Sequence, residues 1–297
     1  MPDAGEANRG TGGRFAASAD LLRALAGRYG VPEDELDGWT VAESLTDTSL
    51  ELRDRDLREF ARRLAARAVL RRAFELVGPL ATARRTVREE LAEAWRGELD
   101  EEETLERVLG KDFPEPGDWV GLRRENRRVQ VALMMDTSLS MSGKNLALAA
   151  VAAAVLAFSI RSEDLAVVAF ESTAKALTHL GERDSASRVV EEILAQPARG
   201  FTNIQDALVV GREELARGAN PRRAGLLITD GVFTAGGDPL PEAALFPRLH
   251  VLLTEDYVMD EELCARMARL GRGELVRVRG YADLPRTMLD VATRLMR

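Results

Sequence analysis

The chain has 297 residues, 45% of them hydrophobic and 30% charged, with a formal net charge of −8. That length suits one large domain or two smaller ones, and the acidic balance argues against general affinity for nucleic acid. A single cysteine, Cys264, excludes an intramolecular disulfide framework and points to a reducing, cytoplasmic setting.

Residues 1–14 are Gly-rich and polar and read as a disordered tail. They lack the apolar core of a secretory signal. Residues 15–112 read as a helical N-terminal domain. Leu57, Phe60, Leu64 and Ala68 recur at three- and four-residue steps with arginines between them. Thr86–Trp95 is expected to continue the pattern, with Val87, Leu91 and Trp95 on one face, and Thr104–Leu109 to add a short helix. Residues 113–128 are expected to be a linker, because Pro114 and Pro116 restrict the backbone. The basic run Arg123, Arg124, Arg127 and Arg128 reads as a solvated approach to a strand, with a partner-facing patch as the alternative.

From residue 129 to 297 the texture becomes an alternation of strands and helices. Val129–Met135, Leu165–Phe170, Gly225–Thr229 and Leu249–Leu253 are short apolar strands. Leu275–Val278 is a fifth, and Lys175–Leu180 reads as an antiparallel edge. Between them lie helical segments at Lys144–Arg161, Ser185–Gln196, Ile204–Gly218, Asp260–Leu270 and Ala282–Met296. Continuous apolar strands imply a sheet covered on both faces, and the alternation implies a doubly wound, mostly parallel α/β domain. The longest apolar stretch, Leu146–Phe158, falls well short of the ~20 residues of a membrane span and reads as a buried central helix.

In such sheets ligands gather at the C-terminal ends of the strands. Asp136-Thr137-Ser138-Leu139-Ser140 leaves one strand end, and Asp230, followed by Gly231, leaves another. If those strands are neighbours, the two carboxylates face one crevice. The loop Gly200-Phe201-Thr202-Asn203 could bring a third hydroxyl, Thr202, to the same point. Two acids and three hydroxyls suit a hard, oxygen-seeking cation such as Mg²⁺, with Mn²⁺ or Ca²⁺ as alternatives. Ser138, Ser140 and Thr202 would bind directly, while Asp136 and Asp230 would act through water and hydrogen bonds. Competing readings of the same residues exist. Asp136, Ser138 and Ser140 could cap a helix starting near Lys144, Thr202 could cap the helix at Ile204, and Asp230-Gly231 could be a plain turn. Glu171 and Asp206 read as solvated, His179 and His250 as structural or surface residues, and Cys264 as a small core residue.

Taken together, Asp136-x-Ser138-x-Ser140, Thr202 and Thr229-Asp230-Gly231 resemble the metal-ion-dependent adhesion site, or MIDAS, of a von Willebrand factor A (VWA) domain, over about residues 129–297. The flanks narrow the resemblance. Glu98-Leu99-Asp100 to Thr104-Leu105, the Pro-bearing link, Pro197–Ile204 and Phe246–Val251 are similar to bacterial CoxE-like and MoxR-associated VWA proteins. Many members carry Gly where this chain has Leu139, a departure that leaves the ligating positions untouched. The resemblance implies a cytoplasmic, non-enzymatic adaptor or co-chaperone for a MoxR-type AAA+ ATPase, with a partner's Asp or Glu completing the metal coordination.

The rival reading is Mg²⁺-dependent phosphoryl transfer of the haloacid-dehalogenase type. That chemistry wants a second Asp two residues after the first, where this chain has Ser138, and a well-placed lysine. No nucleotide-binding glycine motif follows the first apolar strand.

Overall fold

The computed structural model describes residues 9–49, 55–78, 85–90, 98–109, 111, 113, 115–125, 128–138, 143–196, 200–254, 258–279 and 281–296. Three helices lead the chain: α1 (Arg9–Tyr29), α2 (Gly38–Ser49) and α3 (Arg55–Val77). Residues 9–14, expected in the tail, are therefore helical, while residues 1–8 lie outside the described residues. These first turns extend a helix whose anchors, Leu21, Leu22, Leu25 and Ala26, come later; nothing in their own composition explains them. On α3 the buried stripe is Leu57, Ala61, Ala65, Ala66, Val69, Ala73 and Val77. Phe60 and Leu64, expected at its centre, border it instead. Small side chains let helix axes approach closely, so the alanine face turns inward and the larger residues seal its edge.

A small antiparallel sheet follows, built from β1 (Arg85–Glu90), β2 (Glu98–Leu99) and β3 (Val120–Glu125) in the order β1-β3-β2. Two expectations are corrected here. Residues 85–90 form a strand, not the start of a helix, and residues 120–125 form a strand inside the expected linker. The cause is non-local: β-branched Thr86 and Val87 suit a strand, and the partner that decides the matter lies more than 30 residues on. Leu91–Trp95, the rest of the expected helix, lies outside the described residues. The short helix α4 (Glu101–Val108) starts earlier than expected because Asp100 caps it, accepting from the Glu103 N–H at 3.1 Å. Glu101, Glu102 and Glu103 in its first turn complement the helix dipole.

The large sheet has six strands: β4 (Gln130–Asp136), β5 (Leu165–Phe170), β6 (Ala174–Thr178), β7 (Arg223–Thr229), β8 (Leu249–Thr254) and β9 (Arg272–Val278). Their order is β6-β5-β4-β7-β8-β9, parallel throughout except for the antiparallel edge β6. The helices between them are α5 (Lys144–Ser159), α6 (Ala186–Leu194), α7 (Ile204–Arg217), α8 (Leu240–Ala244), α9 (Glu261–Leu270) and α10 (Leu284–Met296). The mostly parallel sheet with helices on both faces is the α/β architecture expected.

Period-two alternation sorts the strand side chains between two cores. From β4, Val131, Leu133 and Met135 enter one core with α5, α6 and α10. Ala132 and Met134 enter the other, with α7, α8 and α9. The first core continues outward into α1, α2 and α3, so α5 lies between the sheet and the N-terminal helices. Every residue of α5 from Leu146 to Leu156 is buried. A helix apolar on all sides needs cover on all sides, and here it has it. Among the described residues, no helix is long and apolar enough to cross a membrane.

Candidate metal centre

The chain turns from β4 to β5 on one side and reaches β7 on the other. The switch point therefore falls between β4 and β7, where doubly wound sheets open a crevice. The two strands are hydrogen-bonded neighbours with Met135 opposite Ile228. Asp136 ends β4, and Asp230 follows the last residue of β7.

Asp136 is only 2% exposed. Its Oδ1 accepts from the Ser138 N–H at 2.8 Å, and the Ser138 hydroxyl also hydrogen-bonds the carboxylate. Burial nevertheless pushes the Asp136 carboxyl up to about 6, and the charge of Asp230 adds to the rise. Burying a charge without a counter-charge favours its neutral form. Thr137 points elsewhere: its N–H and Oγ1 both donate to the Phe170 carbonyl, at 2.8 and 3.0 Å, tying the loop to β5. Ser138 is buried beside the carboxylate. Ser140 lies outside the described residues.

The capping alternative for the first loop does not hold for Asp136 and Ser138. The N-cap of α5 is Gly143, which has no side chain to offer, and no side-chain cap bond forms. Thr202 is likewise released from capping, because the N-cap of α7 is Asn203, whose Oδ1 accepts from the Asp206 N–H at 3.1 Å. Asn203 directly before the first apolar helical residue, Ile204, is the signal that could have shown this.

Thr202 is buried and held from both sides. Its N–H donates to Thr234 Oγ1 at 2.9 Å, and its carbonyl accepts from the N–H groups of Thr234 and Ala235 at 2.9 and 3.1 Å. Across the crevice, the Asn203 N–H donates to the Glu171 carbonyl at 2.7 Å, and the Phe201 N–H to Ser172 Oγ at 3.0 Å. Thr202 is therefore strung between the ends of β5 and β7, the two neighbours of β4. Gly200 makes the approach feasible: its φ is 95°, and a Cβ there would overlap the Glu171 carboxylate.

Asp230 Oδ1 accepts from the Val232 N–H at 2.8 Å, and its carbonyl accepts from the Asp260 N–H at 3.0 Å. Gly231, with φ 85°, turns the chain directly after it; a side chain would press on the Asp260 carbonyl and the Cys264 sulfur. The turn reading and the strand-end reading of Asp230-Gly231 are thus both true.

The structure brings Asp136, Ser138, Thr202 and Asp230 to one edge of the sheet. Sequence reasoning missed the supporting residues Ser172, Asn203, Thr234 and Asp260. It also placed Asp206 on a solvated surface, whereas Asp206 Oδ2 accepts from the Ala174 N–H at 2.6 Å and pins the β5–β6 turn. His179 is structural, its Nδ1 lying 2.8 Å from buried Glu214, and burial pushes the pKa of the His250 imidazole down. Cys264 is a core residue whose thiol burial pushes up to about 12, leaving it inert. Among the described residues, no three His, Cys, Asp or Glu side chains gather as a donor set. Two acids with neutral hydroxyls remain, and that set fits a hard divalent cation. Buried Asp136 and half-buried Asp230, whose charges repel, supply the negative potential that would draw one in.

The sequence model of a family described as "VWA domain containing CoxE-like protein" matches residues 42–245. That is more than half of the chain, and the chain belongs to this family. Solved structures of similar fold include proximal thread matrix protein 1 from the mussel byssus, in crystal form 2. It is 20% identical over 57% of this chain and 48% of its own, with a TM-score of 0.50. This chain thus spans about half the length of that protein. A structure of the same mussel protein with a zinc-occupied MIDAS motif matches at 19% identity over 57% and 48%, TM-score 0.47. The conserved hypothetical protein BatB from Bacteroides thetaiotaomicron matches at 19% identity over 56% and 98%, TM-score 0.46. No curated protein matches the chain. The protein is a CoxE-like VWA-domain protein, and VWA domains are usually non-catalytic interaction modules.

Proposed function

We propose that this chain is a non-enzymatic, Mg²⁺-dependent protein-interaction module, acting in the cytoplasm as adaptor or co-chaperone for a MoxR-type AAA+ ATPase. The observation that carries the metal part is the buried Asp136 carboxyl. It is raised to about 6 beside a second acid on the neighbouring strand end, while the hydroxyl-bearing Ser138 and Thr202 are not used as helix caps. Ser138, Ser140 and Thr202 would hold the ion directly, with Asp136 and Asp230 supporting them through water and hydrogen bonds. Mn²⁺ or Ca²⁺ could occupy the same donors.

Three neutral ligands leave a bound ion with most of its charge. What it then supplies is an attraction for a carboxylate from outside, so that a partner's Asp or Glu completes the shell. Family membership supports the ATPase partnership, and the single buried Cys264 is compatible with a reducing compartment. Phosphoryl transfer finds no support at this edge. Ser138 stands where a second acid is needed, and Lys144 instead lines a cavity with Trp39 and Arg72.

Isothermal titration with Mg²⁺ alone tests the site. The wild-type chain should bind one ion, and Asp136→Ala should lose binding while keeping its far-UV spectrum. A folded Asp136→Ala that binds Mg²⁺ as before would sink the reading. The adaptor part predicts that a purified MoxR-type ATPase is retained on the immobilised chain in Mg²⁺ and released by EDTA.

A further inference from the structure

The crevice has an apolar rim. Phe201 is 65% exposed, Phe233 39%, Val258 68% and Met259 43%. They sit on three separate loops, and each loop is tied to the centre by hydrogen bonds. Phe201 directly precedes Thr202. Phe233 precedes Thr234, whose hydroxyl and N–H bond the Thr202 backbone. Val258 and Met259 precede Asp260, whose N–H donates to the Asp230 carbonyl at 3.0 Å. Large apolar side chains left in water cost free energy that a partner recovers by covering them. Scattered singly they need no explanation, but here four lie on the three loops that hold one candidate site.

Charge narrows the occupant. Glu171 contributes its carbonyl to the Thr202 loop, and Asp260 is exposed at the opposite rim. Together with Asp136 and Asp230 they surround the centre with negative charge. A run of acids would be repelled by this rim, whereas a single carboxylate can be compensated by one divalent ion.

We infer that the partner presents one Asp or Glu flanked on both sides by bulky apolar residues, the acid reaching the ion and the flanks covering Phe201, Phe233, Val258 and Met259. This rests on the metal reading above and deepens it. Recognition is then divided: the ion supplies the requirement for a carboxylate, and the rim supplies the choice among carboxylates.

The test is selection of a displayed random heptapeptide library on the immobilised full chain in Mg²⁺, with elution by EDTA. The enriched peptides should carry one acid with Leu, Phe, Met or Trp within two positions on either side. The double variant Phe201→Ser, Val258→Ser changes only exposed side chains, so it should fold and bind Mg²⁺ calorimetrically like wild type. It should bind a synthetic winning peptide roughly tenfold or more weakly, as expected for two lost apolar contacts. Enriched peptides with polar or acid-rich flanks, unchanged peptide affinity in the double variant, or no EDTA-sensitive enrichment on a chain that does bind Mg²⁺ would each overturn the inference. A wild-type chain that does not bind Mg²⁺ overturns instead the metal reading beneath it.

Discussion

Helices α5 and α7 both begin at the strand-end crevice and leave it over opposite faces of the large sheet, yet they are built on different plans. α5 is apolar on every side and packs between the sheet and the N-terminal helices. α7 is amphipathic, with Leu208 and Leu215 in the core and Glu213 in solvent. α5 starts at a glycine without a side-chain cap, whereas α7 starts at an asparagine that caps it. The difference shows two ways of starting a helix beside a binding site without using the site's oxygens. α5 draws its stability from burial and can do without a cap, which leaves Ser138 beside Asp136. α7 buries less and keeps a cap, but the cap is Asn203 and not Thr202.

The largest effect that could break this contrast is a charge placed inside α5. Val155 is fully buried in the core that α5 shares with the N-terminal helices. Val155→Asp should cost about 3–5 kcal/mol, as expected for an uncompensated buried charge, and abolish cooperative unfolding at moderate denaturant. On α7, Glu213→Ala should change stability by less than about 0.5 kcal/mol. Comparable urea midpoints for the two variants would mean that the N-terminal helices do not cover α5 in solution.

The unequal legibility of the two halves follows from the same physics. In β4, alternate residues had to serve two cores, and the run Val129–Met135, apolar at every position but Gln130, announced a strand covered on both faces. Asp136 and Asp230 were readable because an acid directly after such a run has a defined place in a doubly wound sheet. Asn203, Ser172 and Thr234 were not, because their roles depend on which loops the topology brings together. β1 was misread for the same reason. Its partner β3 is remote, and over six residues the recurrence that began at Val87 could not be told from a helical face. On α3 the period was right and the face was off by one residue, since the pattern does not say that an alanine stripe would be preferred for close packing against an alanine-rich neighbour.

A smaller effect, of opposite sign, tests the α5 end of the crevice. The Asp136 carboxyl has an ordinary value of 3.8 and is pushed to about 6 in the fold. The folded state thus holds this proton more tightly than the unfolded chain. Stability from this group is present below 3.8 and is lost as pH rises to about 6. The loss amounts to about 3 kcal/mol at neutral pH in the absence of metal. Metal-free Asp136→Asn should therefore be more stable than wild type at pH 7.5 by up to about 3 kcal/mol, with the gap closing toward pH 4. Mg²⁺ should raise the melting temperature of wild type and leave the variant unmoved. A metal-free variant less stable than wild type at pH 7.5 would show that the carboxylate is paid for by neighbours within the fold, with no need of an ion.

The smallest effect belongs to the α7 end. Asn203→Ala removes the Oδ1 that accepts from Asp206 N–H and the Nδ2–H that donates to the Ser172 carbonyl at 3.1 Å. Loss of a helix cap costs about 1 kcal/mol, and that is the expected fall in stability. Thr202 itself is held by backbone bonds that the substitution leaves in place, from Thr234 and Ala235 on one side and between the Asn203 N–H and the Glu171 carbonyl on the other. Mg²⁺ affinity should then change by less than about threefold, a difference below 1 kcal/mol. If affinity instead collapses while the fold survives, the cap and the placement of Thr202 are one device, and α7 would be tied to the crevice as closely as Asp136 ties β4.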